Sequence, residues 1–263
     1  MERDPDGGSD YGRDSQRDLG DEPAPAIRDS APDYLAPIDE SSPVSGHSPA
    51  PVARTSMAEA PEHDWTKART LIYPAFRPIG TQGLEMASID RQTLAAHASL
   101  SHAQPLLDLG PADLPVVYTI DAGAYDIVVN GDHLLAWGID PSEIQDAAMH
   151  NLGAWSATAP WTDEISGERR LISSDTGQGW DAARILLTEV VDHLVAELGS
   201  AGRILIGIPD RHLLTAGSLR PDDADFATLF ADFVLEHSGG ADEPIDRRVF
   251  ELVDGRLIEF SGV

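Results

Sequence analysis

Arg203-Ile204-Leu205-Ile206-Gly207-Ile208-Pro209-Asp210-Arg211-His212 is the stretch around which the chain organises itself. From Ile204 to Ile208 it carries no charge and no polar alternation, so it reads as a central buried strand. Pro209 lacks the N–H that a ladder needs, and the strand is expected to end there. Downstream, residues 212–216 read as a further short strand. Asp222, Asp223 and Asp225 open a helix, where carboxylates complement exposed amides. Its apolar face is expected to hold Phe226, Leu229, Phe230, Phe233 and Val234, with His237 and Gly239 at its end. Residues 249–253 and 256–260 flank Asp254-Gly255, a two-residue hairpin signal.

Upstream, residues 180–198 read as one helix. Leu187, Val190, Val191, Leu194 and Leu198 form its stripe, and Gly199 stops it. Residues 170–174 read as a strand. Another helix starts at Asp140, which caps it; Pro141 fills the first turn and Glu143 closes a capping box. Ile144, Ala147, Ala148, Leu152 and Trp155 make its apolar face. Residues 116–121 and 125–129 flank Ala122-Gly123-Ala124 as a hairpin, after which Asn130-Gly131 turns the chain. Residues 70–77 read as a strand whose Pro74 suggests an edge or a bulge. The intervening residues 78–113 read mostly as loop, with a short helix at 93–98. The order predicts an α+β fold, a mostly antiparallel sheet with helices packed on one face. No internal repeat is present.

Composition narrows the function. The 263 residues carry 45 acids against 18 bases, a net charge of -27. Such a field repels a polyanion, so nucleic-acid binding is not expected. Lys67 is the sole lysine, which fits either a GC-rich coding bias or a carboxylate surface adapted to high salt. There is no cysteine, hence no disulfide, zinc-thiolate site or thiol nucleophile. No apolar run approaches membrane-spanning length, and the start lacks the basic and apolar regions of a secretory signal. A soluble, cytoplasmic protein without membrane contact is the expectation. Residues 1–62 hold 9 of the 19 prolines and lack apolar periodicity, so they are expected to be a disordered acidic tail. Within it, residues 31–38 could serve as a short linear motif. Residues 63–263 are expected to form a single domain.

Several motifs invite chemistry. Gly177-Gln178-Gly179-Trp180-Asp181-Ala182 follows a strand and opens a helix, as a dinucleotide fingerprint does. Against it, Asp210 comes too late to be the ribose-binding acid, and Trp180 and Asp181 would crowd the phosphate. Asp181 and Arg184 lie three apart and read first as a surface ion pair. Asp210, Arg211 and His212 follow a buried strand directly, where sites are often placed. Topology suggests that Asp181, Arg184 and Arg211 meet at one end of the sheet. The nine histidines form no metal-binding pattern. A Gly-x-Ser-x-Gly elbow and a P-loop are both missing. No metal or cofactor is expected.

Taken in order, Ile72-Tyr73-Pro74 with Arg77, Tyr118-Thr119-Ile120-Asp121, Asn151-Leu152, residues 180–186, Ile208-Pro209 and Asp254-Gly255 resemble the YtpQ-like family of bacterial proteins. The resemblance covers about residues 69–263 and implies a shared fold without a reaction. Two features depart from the family. The tail stands in place of the family's N-terminal portion. After Ile208-Pro209, similar proteins place an amide or histidine first and an aspartate later, whereas here Asp210 precedes Arg211 and His212.

Two functions are carried forward. The first is a non-catalytic interaction module with a protein partner, its oligomeric state open. The alternative is a small-ligand binder or enzyme using Asp181, Arg184, Asp210, Arg211 and His212.

Overall fold

A computed structural model describes residues 60–96, 100–200 and 202–262. The tail expected up to residue 62, with its motif at 31–38, lies outside the described residues as far as residue 59. The fold is α+β and mostly antiparallel. One five-stranded sheet comprises β1 (Ile72–Phe76), β2 (Leu84–Glu85), β3 (Leu106–Leu109), β4 (Pro115–Asp121) and β5 (Asp126–Val128). Its order is β1-β4-β3-β2, with β5 continuing along the β3 side of β4. Only β2 and β3 run parallel. Pro74 lies in β1, which pairs with β4 alone, so the missing N–H falls on an edge strand as expected.

A six-stranded antiparallel sheet holds β6 (Thr162–Ser166), β7 (Arg169–Ser174), β8 (Arg203–Asp210), β9 (Leu213–Leu219), β10 (Val249–Val253) and β11 (Arg256–Glu259). Its order is β11-β10-β8-β9-β7-β6. The run that opened the reading is thus an interior strand. Pro209 does not end it. The ladder shifts register between Gly207 and Asp210, and a proline is tolerated at such a bulge. The Pro209 carbonyl accepts from the Ile245 amide at 2.9 Å. Strand β9 is longer than expected and buried throughout. Arg211 and His212 are therefore the two-residue turn between β8 and β9. Strand β6 escaped the sequence reading because all five of its residues are exposed.

Short 3-10 turns and six α-helices complete the described structure: α1 (Trp65–Ala68), α2 (Arg91–Ala96), α3 (Gly131–Trp137), α4 (Pro141–Ser156), α5 (Thr188–Leu198) and α6 (Ala224–Gly240). In α4 the Asp140 amide donates to Glu143 Oε1 at 3.1 Å, as the capping box requires. Asn130 does more than turn the chain. Its side chain accepts from the His133 amide at 3.1 Å and starts α3, which the sequence reading missed.

Three further expectations are corrected. Residues 180–198 are not one helix: Ala182–Leu186 forms a 3-10 turn, and Leu187 breaks it with an extended backbone before α5. Ala182, Ala183, Arg184 and Ile185 are buried in succession, which no amphipathic α-helix achieves. Helix α6 continues through Gly239, and its Leu229 faces water at 53% exposure. Helices also cover both faces of the six-stranded sheet. Alternation in β8 sends Ile204, Ile206 and Ile208 into the main core with α4, α5 and the five-stranded sheet. Leu205 joins Phe226, Phe230 and Val234 of α6 in a smaller core on the opposite face. Helix α6 sits close because Gly207 and Gly217 lie beneath it. A Cβ at Gly207 would stand 2.5 Å from Val234 Cγ2, and one at Gly217 2.7 Å from Phe226 Cζ.

Candidate functional site

The chain leaving β7 passes through the Gly177–Gly179 loop. Gly179 has φ +85, and a Cβ there would meet the Arg211 guanidinium at 2.5–2.8 Å. Arg211 Nε donates to the Gly179 carbonyl at 3.3 Å, and the Ala182 amide donates to the Arg211 carbonyl at 3.3 Å. Loop and β8–β9 turn are therefore fastened together. This geometry overturns the dinucleotide alternative. A guanidinium occupies the space against the second glycine, and a five-residue 3-10 turn follows in place of an α-helix N-terminus.

Asp181 and Arg184 are not a surface pair. They are 0% and 1% exposed. Asp181 accepts from Ser174 Oγ, from the Thr176 amide at 3.1 Å and from Thr176 Oγ1 at 2.8 Å. Arg184 Nη1 donates to the same Ser174 Oγ at 2.7 Å, which places one hydroxyl between the two charges. Its Nε reaches Ser156 Oγ at 3.0 Å, and further bonds go to the carbonyls of Pro160, Ser156 and Ala159. The guanidinium carbon lies 3.7 Å from the Trp161 ring centroid. Burial pulls the Arg184 pKa down to about 10, against the opposing charge of Asp181. The cation so held ties α4, the chain before β6, and β7 to the 3-10 turn. Asp210 has a local task, since its Oδ1 accepts from the His212 amide at 2.6 Å and shapes the turn.

Above this support lies a polar cleft of about 650 Å³ between the β4–β5 hairpin and the β8–β9 turn. Of the five residues singled out from sequence, Arg211 and His212 line it, while Asp181, Arg184 and Asp210 do not. Other lining groups come from elsewhere: Arg77 after β1, Asp121 at the end of β4, Tyr125 and Asp126 in the hairpin, Gln178 and Trp180 beside the glycine loop, and Glu243 after α6. Arg211 is fully engaged, with Asp126 on Nη2 and Glu243 on Nη1 at 3.2 Å. Burial works against its charge, but the two carboxylates more than offset this and raise its pKa. Arg77 differs. Its side chain makes one hydrogen bond among the described residues, from Nη1 to the Phe76 carbonyl at 3.3 Å, and meets Glu243 only at 3.9 Å. Burial lowers its pKa; Arg211 adds to this, and Glu243 and Asp126 oppose it.

Trp180 of the lining is backed by aromatic rings. Trp180 stacks on Tyr73 with centroids 3.9 Å apart and meets Trp155 edge-on at 5.4 Å. Trp180 Nε1 and His212 Nδ1 are closed to solvent and have no hydrogen-bond partner among the described residues. Burial raises the Tyr73 pKa, and the Asp121 charge adds to it. Asp126 and Glu243 were illegible as site residues, because each reaches the cleft from a separate element with no motif around it. Arg77 stood among the family-like blocks but without a partner to mark it. No group of three His, Asp or Glu among the described residues is placed to hold a metal ion.

No family model matches the chain, and no solved structure matches it. No helix among the described residues is long and apolar enough to cross a membrane. The UPF0354 protein of Staphylococcus epidermidis, from two strains, is similar to it at 23% identity over 137 residues. The matched part is 52% of this chain and 45% of the relative. The chain thus spans about half the length of the curated relatives it matches, and the similarity sets it beside an uncharacterised bacterial family.

Proposed function

We propose that residues 63–263 form a non-catalytic ligand-binding domain, working in the cytoplasm, whose ligand occupies the cleft between the β4–β5 hairpin and the β8–β9 turn. The observation that carries this reading is the fixed polar wall. Arg211 is held by Asp126, Glu243 and the Gly179 carbonyl, and the cleft volume lies within the range typical of small-molecule sites. Asp126 and Glu243 face a guanidinium rather than a nucleophile, which favours binding over acid–base catalysis. Asp181 and Arg184 belong to this proposal as the support under the glycine loop, not as ligand contacts. We also propose kinship with the YtpQ-like proteins, on the residue blocks that resemble them; the relative described above supports an uncharacterised bacterial family.

A thermal-shift screen of the full chain against metabolite mixtures tests the reading. A ligand present well above its Kd raises the melting temperature by linkage. The same mixture should lose its effect on Asp126→Asn, which leaves Arg211 without its shortest partner. A screen with no shift, or shifts untouched by that substitution, would move the working surface elsewhere. The protein-partner reading retains one specific observation, an apolar groove between the β6–β7 hairpin and α6. Ile165 and Leu229 on its walls are 69% and 53% exposed.

A further inference from the structure

We infer that the cleft takes a short peptide of about three to four residues in extended form, its free carboxylate on Arg77 and its free ammonium on Asp121. This rests on the proposed role of the cleft and names the ligand for it.

The argument starts from which charges are already satisfied. Arg211 is committed to Asp126 and Glu243 through direct hydrogen bonds, one cation against two carboxylates. Two charged groups remain undercommitted. Arg77 has one backbone acceptor and shares Glu243 only at 3.9 Å. Asp121 accepts from the Gly123 amide on Oδ1 at 2.7 Å, and its Oδ2 has no hydrogen bond among the described residues. The hydrogen-bonding capacity left open is therefore on one guanidinium and one carboxylate. A purely anionic ligand would face three carboxylates in a molecule of net charge -27. A purely cationic one would face two guanidiniums. A molecule bearing one charge of each sign avoids both penalties.

The spacing of the two groups sets its length. The Arg77 amide donates to the Pro115 carbonyl and the Asp121 amide to the Leu71 carbonyl, so the two residues mark opposite ends of the β1–β4 ladder. Six residue steps of extended strand separate position 77 from position 71, about 20 Å between backbones. Both side chains line the cleft and shorten that gap. A single amino acid, whose two charges are neighbours, cannot span it. A peptide of a few residues can, and its middle would lie along the Arg211–Asp126 pair. Exposed Tyr125 offers aromatic surface beside that path.

The experiment is titration calorimetry of the full chain with random-sequence tetrapeptide pools in four forms: free, N-acetylated, C-amidated and capped at both ends. Free amino acids serve as the short control. Each cap should weaken binding by about tenfold or more, and free amino acids should not bind. In Arg77→Gln, amidation should cease to matter while acetylation still does. In Asp121→Asn, which keeps the Gly123 contact, the reverse should hold. These are differences within one variant, so a loss of folding cannot imitate them. Equal binding of the doubly capped pool, or equally tight binding of single amino acids, overturns the inference. If no peptide binds but a screened metabolite does, and loses binding in Asp126→Asn, the inference fails and the cleft reading stands. If neither binds, both fall.

Discussion

Arg184 shows how much one side chain can hold together. Its guanidinium serves Ser156, Ser174 and three carbonyls, and it covers Trp161. Arg184→Ala should leave the buried Asp181 without its neighbouring cation. A destabilisation of about 3–5 kcal/mol in urea unfolding is expected; a loss below about 1 kcal/mol would mean that the cage is not structural. Gly179 is the second such position. Gly179→Ala meets both a left-handed backbone and the Arg211 guanidinium. It should lose about 1–2 kcal/mol from the backbone alone, and calorimetry should show ligand binding weakened with it, because Arg211 must move. Retained binding in Gly179→Ala would show that the position of Arg211 does not matter to the cleft.

Among the elements, those that carry their own instructions were legible in sequence. Helix α4 announced itself through Asp140, Pro141 and Glu143, and the β10–β11 hairpin through Asp254-Gly255. Both signals are local, and the fold obeys them. What stayed hidden depends on neighbours. Strand β6 has no buried face to reveal it. The break at Leu187 exists because the segment before it is enclosed on every side. The β8 run, apolar at every position, agrees with burial on both faces, but the order of elements gave no sign of which helix covers the second face. The cleft was half legible for the same reason: Arg211 and His212 follow a strand, but their partners arrive from distant segments. Two substitutions test the corrected faces. Leu194→Ala in α5, at 0% exposure, should cost about 2–5 kcal/mol. Leu229→Ala in α6 should stay within about 0.5 kcal/mol. Equal costs in chemical denaturation would put the α6 face back where the sequence reading had it.

At the scale of the whole molecule, charge sets the response to solution conditions. Hydrogen bonds from Arg170, Arg169 and Arg203 hold Asp163, Asp223 and Glu251 below the usual carboxylate range. A carboxylate whose folded pKa is depressed contributes stability above its unfolded pKa. That contribution is lost as pH falls through the folded value. Unfolding midpoints should therefore decline below about pH 4, and a flat profile from pH 5 to 2 would count against these bridges. The net charge of -27 acts in the other direction, through self-repulsion. Added salt screens it over about 8–10 Å at physiological strength, so the melting temperature should climb between low and moderate salt. A fall would mean that the arginine–carboxylate pairs outweigh the general repulsion.

The two cores on opposite faces of the six-stranded sheet also divide the molecule in time. Helix α6 is held by the smaller core alone, seated over Gly207 and Gly217, while β8 belongs to both. A layer anchored by one small cluster can lift without dismantling the sheet beneath it. Amide protons of α6 should then exchange with deuterium as one cooperative group, faster than those of β8 and β9. Those strand amides should wait for the opening of the whole domain.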